Sequence, residues 1–233
     1  MISIVVPVYN EEKIIKYSFN QIKETMDTIN EPYEIVFVND GSSDNTLQEL
    51  TELQKKSKNL RIISYTPNKG PGAAFREGFK KAKGDKIITI DADLSFSPKD
   101  IPRLLEELKD DVQVVLGSQH MKGAKMENIP WIRVMASKSA VFLDRRRLNV
   151  KLSTLSSFFA LYKADVIKNV EFTENGFSAQ PEILTTLYRN KVNIKEIPCT
   201  LRWSDKKRNK GSMFKRISKE AKNRFRLWKK LNN

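Results

Sequence analysis

The sequence is poor in the residues that most often carry covalent chemistry. It has one cysteine, Cys199, and one histidine, His120. A lone cysteine excludes an intrachain disulfide and fits the reducing conditions of the cytoplasm. No Ser-His-Asp or Cys-His arrangement is visible, which disfavours a nucleophilic hydrolase, and His120 reads as an ordinary surface side chain. Long apolar runs are missing as well. Nothing approaches the roughly 18 apolar residues that a membrane span needs. The opening, Met1-Ile2-Ser3-Ile4-Val5-Val6-Pro7, has no basic lead-in and no small-residue cleavage site, so it reads as a first strand and not as a signal peptide. Two phosphate-binding signatures are also absent. No Gly-rich dinucleotide fingerprint follows the first apolar run, and there is no Gly-Lys-Ser/Thr loop.

What is present is charge, placed unevenly. The 233 residues carry a net +14, with 39% hydrophobic and 30% charged residues. Between Arg202 and Lys230 there are 13 Lys/Arg against 2 Asp/Glu, a net of +11. A localised positive field of this kind implies an anionic partner: nucleic acid, an anionic membrane or a phosphorylated substrate. The length suits one large domain with an appendage.

The first half alternates short apolar runs with helix-like periodicity. Strands are expected at Ile2–Val8, Ile35–Val38, Leu60–Tyr65, Ile87–Ile90 and Val112–Leu116. Between the first two, Ile15, Phe19, Ile22, Met26 and Ile29 mark one helix face. Ser97-Pro98-Lys99-Asp100 carries a cap serine and a proline at the first helical position. Such alternation predicts an α/β domain with a mostly parallel central sheet and helices on both faces. Further on, helices are expected at Trp131–Leu143 and Phe177–Arg189, a strand-like segment at Ser153–Tyr162 and a late strand at Val192–Pro198.

In an open parallel sheet, ligands bind at the carboxyl ends of the strands. Tyr9 and Glu11 follow the first strand, Asp40 the second, and Asp91-Ala92-Asp93 the fourth. Five groups, four of them acids, are thus expected along one edge. Clustered carboxylates repel unless a cation neutralises them, and a divalent ion with hard oxygen ligands is the natural answer. Asp91 and Asp93 are the expected metal ligands, bridging to a diphosphate that the chain has no backbone loop to cradle. Asp40 is expected to accept hydrogen bonds from the base or ribose.

These residues resemble a known family. Ile4-Val5-Val6-Pro7-Val8-Tyr9-Asn10-Glu11-Glu12, Val38-Asn39-Asp40-Gly41-Ser42-Ser43-Asp44-Asn45-Thr46, Asn68-Lys69-Gly70 and Ile90-Asp91-Ala92-Asp93-Leu94 are similar, in this order, to the signature blocks of the family 2 inverting glycosyltransferases. The similarity is strongest to the polyprenyl-phosphate branch that includes dolichyl-phosphate mannose synthase. The resemblance implies a GT-A fold, a Mg2+ or Mn2+ ion and a nucleotide-sugar donor of the GDP-mannose or UDP-glucose class. Carried over position by position, Pro7, Tyr9, Glu11, Val38 and Asp40 would contact the nucleotide, and Asp91, Ala92 and Asp93 the metal and diphosphate. Arg208, in Arg208-Asn209-Lys210-Gly211-Ser212, would clamp phosphate as part of the catalytic set with Asp91 and Asp93. The resemblance divides residues 1–212 into a nucleotide-sugar half, 1–117, and an acceptor half, 118–212. Several positions depart from the family pattern: Gln119 stands where an arginine is usual, Ser153 where an aspartate is, Ser157 where a glycine is, and Met213 where a lysine is.

Family members that act on a sugar hydroxyl usually carry a Glu-Asp pair before the last core helix; here the segment is Gln180-Pro181-Glu182. A lipid phosphate is already an anion and needs no base, so the expected reaction is transfer of a hexose to a polyprenyl phosphate, with a glycan hydroxyl as the alternative acceptor. Residues 213–233 form a basic amphipathic segment, with Phe214, Ile217, Ala221, Phe225 and Trp228 recurring on one face. It suits a helix lying peripherally in the cytoplasmic face of a membrane, docked on the core, or set against an integral-membrane partner. Nucleic acid is not an expected partner, because no recognised nucleic-acid module is present and the acidic strand ends would go unexplained.

Overall fold

The computed structural model describes residues 1–203 and 213–232, with the side chains of the last helix described from residue 222 onward. A seven-stranded sheet runs in the order β3-β2-β1-β4-β7-β5-β8. Its strands are β1 (Ile2–Val8), β2 (Tyr33–Asp40), β3 (Leu60–Tyr65), β4 (Lys86–Thr89), β5 (Val114–Ser118), β7 (Ala160–Lys163) and β8 (Ile194–Pro198). The strands other than β7 are mutually parallel; β7 runs antiparallel between β4 and β5. The short strands β6 (Met126–Glu127) and β9 (Leu201–Arg202) pair separately.

Both faces of the sheet are buried, which is why its strands read as unbroken apolar runs. Ile2, Ile4, Val6 and Val8 of β1, with Ile35 and Phe37 of β2, face Ile15, Phe19, Ile22 and Met26 of α1 (Ile15–Asp27) and Ile101 and Leu104 of α4 (Ile101–Glu107). Val5, Val36 and Val38 face Phe75 and Phe79 of α3 (Pro71–Lys81) and Ile183 and Leu184 of α7 (Ala179–Arg189). The alternation follows the two-residue period of a strand. Helix α2 (Thr46–Lys56) links β2 to β3, and the short α6 (Ala164–Lys168) follows β7.

Two expectations change. Of the strand-like segment expected at Ser153–Tyr162, only its end is strand, in β7 (Ala160–Lys163). Upstream, hydroxyls compete for the backbone: Ser156 N–H donates to Thr154 Oγ1, and Phe159 N–H to Ser157 Oγ. Helix α5 (Trp131–Leu148) runs five residues past Leu143 and stops where Asn149 turns left-handed, at φ 54°. The basic tail is helix α8 (Met213–Asn232), as expected, and docking on the core was one of the placements left open for it. Its described half is docked on the domain. Leu227 is buried, and Trp228 and Leu231 pack on the α3–α7 side of the core. Arg224 pairs with Asp144, Arg226 with Glu174 at 3.0 Å and Lys230 with Glu182. These three cations are taken up by acids of the same domain, while Lys222 and Lys229 of the same half are exposed. The remaining tail residues of the expected apolar face, Phe214, Ile217 and Ala221, lie outside the described side chains.

Candidate functional site

The carboxyl ends of β1, β2 and β4 lie on one edge, in the register Val8↔Asn39 and Val5↔Thr89. Antiparallel β7 begins on that same edge, with Ala160 opposite both Thr89 and Leu116. Its reversed direction delivers residues 153–159 beside the β4 tip.

Much of the signature holds two loops together. Asn10, at φ 56°, donates its N–H to Ser42 Oγ at 3.0 Å and accepts from Ser43 N–H at 2.8 Å. Glu11 N–H donates to Thr46 Oγ1 at 2.8 Å, and Asn45 N–H donates to Glu12 Oε2 at 3.0 Å. These bonds join the β1 and β2 tips and leave Tyr9 well exposed at the rim, with Pro7 and Glu11 half-buried.

Asp40 is placed otherwise than expected. It is 3% exposed. Its carboxylate accepts from Lys69 N–H, Gly70 N–H and Asn68 Nδ2, each at 2.8 Å. Asp40 therefore clamps the Asn68-Lys69-Gly70 turn, joining two of the signature blocks. Burial, and then Asp40 beside it, pushes the Tyr65 hydroxyl pKa up. Gly41, at φ +69°, lies so close to this turn that a Cβ there would sit 2.6 Å from Asn68 N. Val38 is corrected too. It has no accessible surface and packs under α3, where the Val38 side chain would lie 3.3 Å from a Cβ at Gly78. Its side chain packs beneath the edge that carries Tyr9 and Glu11.

After β4 the chain turns, Leu94 N–H donating to the Asp91 carbonyl at 3.0 Å with Leu94 at φ 51°. Ala92 is buried in the core, and the Ser18 hydroxyl of α1 donates to its carbonyl. That anchor leaves Asp91 and Asp93 half-buried on the edge. Asp93 Oδ1 accepts from Ser95 N–H at 3.0 Å and Ser95 Oγ at 2.8 Å. Ser95 O in turn accepts Arg202 N–H at 2.8 Å, so β9 is laced to the Asp-Ala-Asp turn.

The residues fit a divalent metal only in part. Among the described residues, no three His, Cys, Asp or Glu side chains gather closely enough to hold an ion by themselves. Asp40 leaves the expected crowd of acids, its carboxylate taken up by two backbone N–H groups and the Asn68 side-chain amide. Asp91 and Asp93 suit a small hard cation that takes one or two protein carboxylates and completes its shell with substrate phosphates and water.

The start of α3 is closed. Gly72 N–H donates to Asn175 O at 2.7 Å and Ala73 N–H to the same oxygen at 3.4 Å. Arg76 holds that segment in place, bonding Phe172 O at 3.1 Å and Asn175 Oδ1 at 3.0 Å, with its guanidinium 4.6 Å from the Phe172 ring centre.

In the second half of the chain, Ser153 bridges Ser118 Oγ, at 2.6 Å, and Glu196, to which its N–H donates at 2.8 Å and its hydroxyl at 2.6 Å. An aspartate at 153 would face the Glu196 carboxylate, which accounts for the serine. Gln119 is buried, with Nε2 3.4 Å from Thr154 Oγ1. Gln180 is buried and donates to Ser157 O at 2.6 Å and Tyr162 Oη at 3.1 Å. Glu182 accepts from Thr173 N–H at 3.1 Å, Glu174 N–H at 2.9 Å and Lys230. His120 is half-buried, 3.2 Å from Ser137 Oγ, and burial followed by Lys138 holds its pKa below the ordinary value. The Arg133 guanidinium stacks 4.0 Å from the Trp203 ring centre. Arg208 lies outside the described residues.

The structure thus groups Pro7, Tyr9, Glu11, Asp91 and Asp93 along one edge and withdraws Val38, Asp40 and Ala92 beneath it. Asn10, Asn68, Arg76, Asn175 and Ser95 do positioning work that sequence reasoning missed. For Asn10 and Asn68, the turn-forming asparagines next to Glu11 and Gly70 were the available signal.

The family model described as Glycosyl transferase family 2 matches residues 3–171. The chain belongs to glycosyl transferase family 2. It is 37% identical over 203 residues to the dolichol-phosphate mannosyltransferase of Pyrococcus furiosus, covering 85% of this chain and 56% of that protein. To the dolichol-phosphate mannosyltransferase of Saccharomyces cerevisiae it is 31% identical over 206 residues, covering 85% and 76%. To the undecaprenyl-phosphate 4-deoxy-4-formamido-L-arabinose transferase of Pectobacterium carotovorum it is 29% identical, covering 83% and 58%. The chain thus spans little more than half the length of the archaeal and Pectobacterium relatives. In fold it is similar to glucosyl-3-phosphoglycerate synthase from Mycobacterium tuberculosis in complex with Mn2+ and UDP-glucose, at a TM-score of 0.67 and 19% identity over 87% of this chain and 70% of that one.

Proposed function

We propose that the domain transfers a hexosyl group from a nucleotide-sugar to the phosphate of a polyprenyl lipid, with inversion, at the cytoplasmic face of a membrane. The observation that carries the choice of acceptor is the state of α7. A sugar hydroxyl needs a base to take its proton, and the two polar side chains at the head of that helix are committed elsewhere. Gln180 is tied to Ser157 and Tyr162, and the Glu182 carboxylate is filled by two N–H groups and an ammonium. A phosphate monoester brings its own nucleophilic oxygen. The names of the polyprenyl-phosphate relatives agree with this acceptor.

In this reading Pro7, Tyr9 and Glu11 would hold the nucleotide, with GDP-mannose or a UDP-hexose as the donor class, and Asp91 and Asp93 would hold Mg2+ or Mn2+. The cation would neutralise charge gathering on the leaving nucleoside diphosphate. The protein's own work is positioning: the clamped β1, β2 and β4 tips keep the donor rigid, so the lipid phosphate oxygen meets the anomeric carbon in line. The carbon–oxygen bond to the acceptor forms as the bond to the diphosphate breaks, and Arg208 is proposed to steady the phosphates. Incubation with GDP-mannose or UDP-glucose and a short isoprenyl phosphate, with and without Mg2+ or Mn2+, tests the reading. Metal-dependent glycolipid formation is expected. Transfer to a free sugar hydroxyl but not to the isoprenyl phosphate would replace it.

A further inference from the structure

Helix α5 is fastened to the domain on one narrow side. Of its 18 residues, only Val141, Asp144 and Leu148 are buried. Its large apolar side chains point outward: Trp131 is 74% exposed, Phe142 64% and Met135 55%, with Ile132 and Leu143 also exposed. At 3.6 residues per turn, Trp131, Met135 and Phe142 fall within about 40° of one another, and Ile132 and Leu143 widen the stripe on one flank. Five exposed apolar side chains on one helix are a patch that demands a partner.

The charge around this stripe has one sign. Residues 131–148 contain Arg133, Lys138, Arg145, Arg146 and Arg147, and the sole acid is Asp144. Asp144 is buried, pairing with Arg224 and accepting from Trp228 Nε1 at 2.8 Å. The outward surface is therefore apolar with a cationic border, a match for lipid tails beneath anionic headgroups. In the described half of α8, by contrast, Arg224, Arg226 and Lys230 are turned on Asp144, Glu174 and Glu182. The location also fits. Trp203 N–H donates to Glu127 O at 2.9 Å and the Trp203 ring carries Arg133, so the head of α5 adjoins the β6–β9 ribbon that Arg202 laces to Ser95, two residues from Asp93.

We infer that the outward face of α5 is a surface that seats the domain on an anionic membrane, with Trp131, Met135 and Phe142 entering the interface. This deepens the lipid-acceptor reading and rests on it only for the reason a membrane is at hand; membrane seating and glycosyl transfer are measured separately. No helix among the described residues is long and apolar enough to cross a membrane.

The test is flotation of the full chain with phosphatidylcholine vesicles with and without phosphatidylglycerol. The unmodified chain is expected to float with the anionic vesicles and to be released as salt rises. A Trp131→Ser, Met135→Ser, Phe142→Ser triple variant should lose binding by about tenfold or more. A Tyr17→Ser control, altering an aromatic exposed on α1, should bind as the unmodified chain does. Lys138→Glu should weaken binding to the anionic vesicles alone. Turnover of a short, water-soluble isoprenyl phosphate should survive the triple substitution; its loss in all forms of the protein would count against the acceptor and not against α5. Equal flotation of the triple variant and the unmodified chain overturns the inference. So does self-association of the unmodified chain that the triple substitution abolishes, which would make the stripe a contact between copies.

Discussion

Asp40 and Gly70 meet through a 2.8 Å hydrogen bond from the glycine N–H to the carboxylate, closing a span of 30 residues between the tips of β2 and the α3 entry. With Lys69 N–H and Asn68 Nδ2 it gives one buried carboxylate three donors and no need of a counter-ion.

Asp40→Asn keeps the shape but puts an NH2 group against those donors. The substitution should cost about 1–3 kcal/mol in urea unfolding and weaken donor binding by loosening the edge. A fully stable variant with unchanged donor affinity would show that the clamp is not what orders the site.

Asp91→Ala should lower kcat/KM for sugar transfer by at least about a hundredfold and abolish the stimulation by Mg2+ or Mn2+, while the circular dichroism spectrum is retained. A metal titration by calorimetry in the presence of nucleoside diphosphate provides a second readout: binding seen with the parent should disappear. Turnover that is unaffected would remove Asp91 from the metal assignment.

Asp144→Ala strips α8 of its anchor, leaving Arg224 and the Trp228 Nε1–H without their acceptor. Loss of one partner from a buried pair costs about 3 kcal/mol or more. The expected result is early protease cleavage near α8, with the sheet core still protected; Asp144→Asn, which still accepts from Trp228, should fall between.

His120 gives a pH dependence of known sign. Burial and Lys138 depress its pKa in the folded chain, so on acidification the unfolded chain takes up the proton first, near its ordinary value of about 6.5. Stability is full above that pH and falls as pH drops from there towards the folded pKa. Unfolding midpoints at pH 7.5 and 5.5 should differ for the unmodified chain and draw closer in His120→Gln. As the chain's one histidine, His120 gives a single imidazole proton resonance, whose titration should centre below the ordinary value.

The parallel half of the fold was legible because both faces of its sheet are buried, and double burial writes each strand as a compact apolar run. Asp91-Ala92-Asp93 was legible because it follows such a run directly. Asp40 misled because its type and place suit a ligand contact, while its three donors come from a turn 28 to 30 residues away, a pairing that no local pattern encodes. The serine-rich approach to β7 carries Leu155, Phe158, Phe159 and Leu161, but its hydroxyls take up backbone donors and keep it out of the sheet. In α8 the basic and apolar periodicity was plain, but periodicity does not say whether acids on the same domain await the cations. The outward stripe of α5 was hidden, since apolar residues at helical spacing ordinarily mean core.

The closed start of α3 bears on how the domain can treat anions at all. Gly70-Pro71-Gly72 opening a helix has the makings of a phosphate nest, with backbone N–H groups at the positive end of a helix dipole. Here the Gly70 hydrogen is spent on Asp40, and those of Gly72 and Ala73 on Asn175. An inorganic phosphate offered to this corner would have to evict the chain's own carbonyl. The fold has thus surrendered its ready-made anion hole to internal bracing, and a diphosphate arriving at the neighbouring edge must bring or meet a mobile positive charge instead.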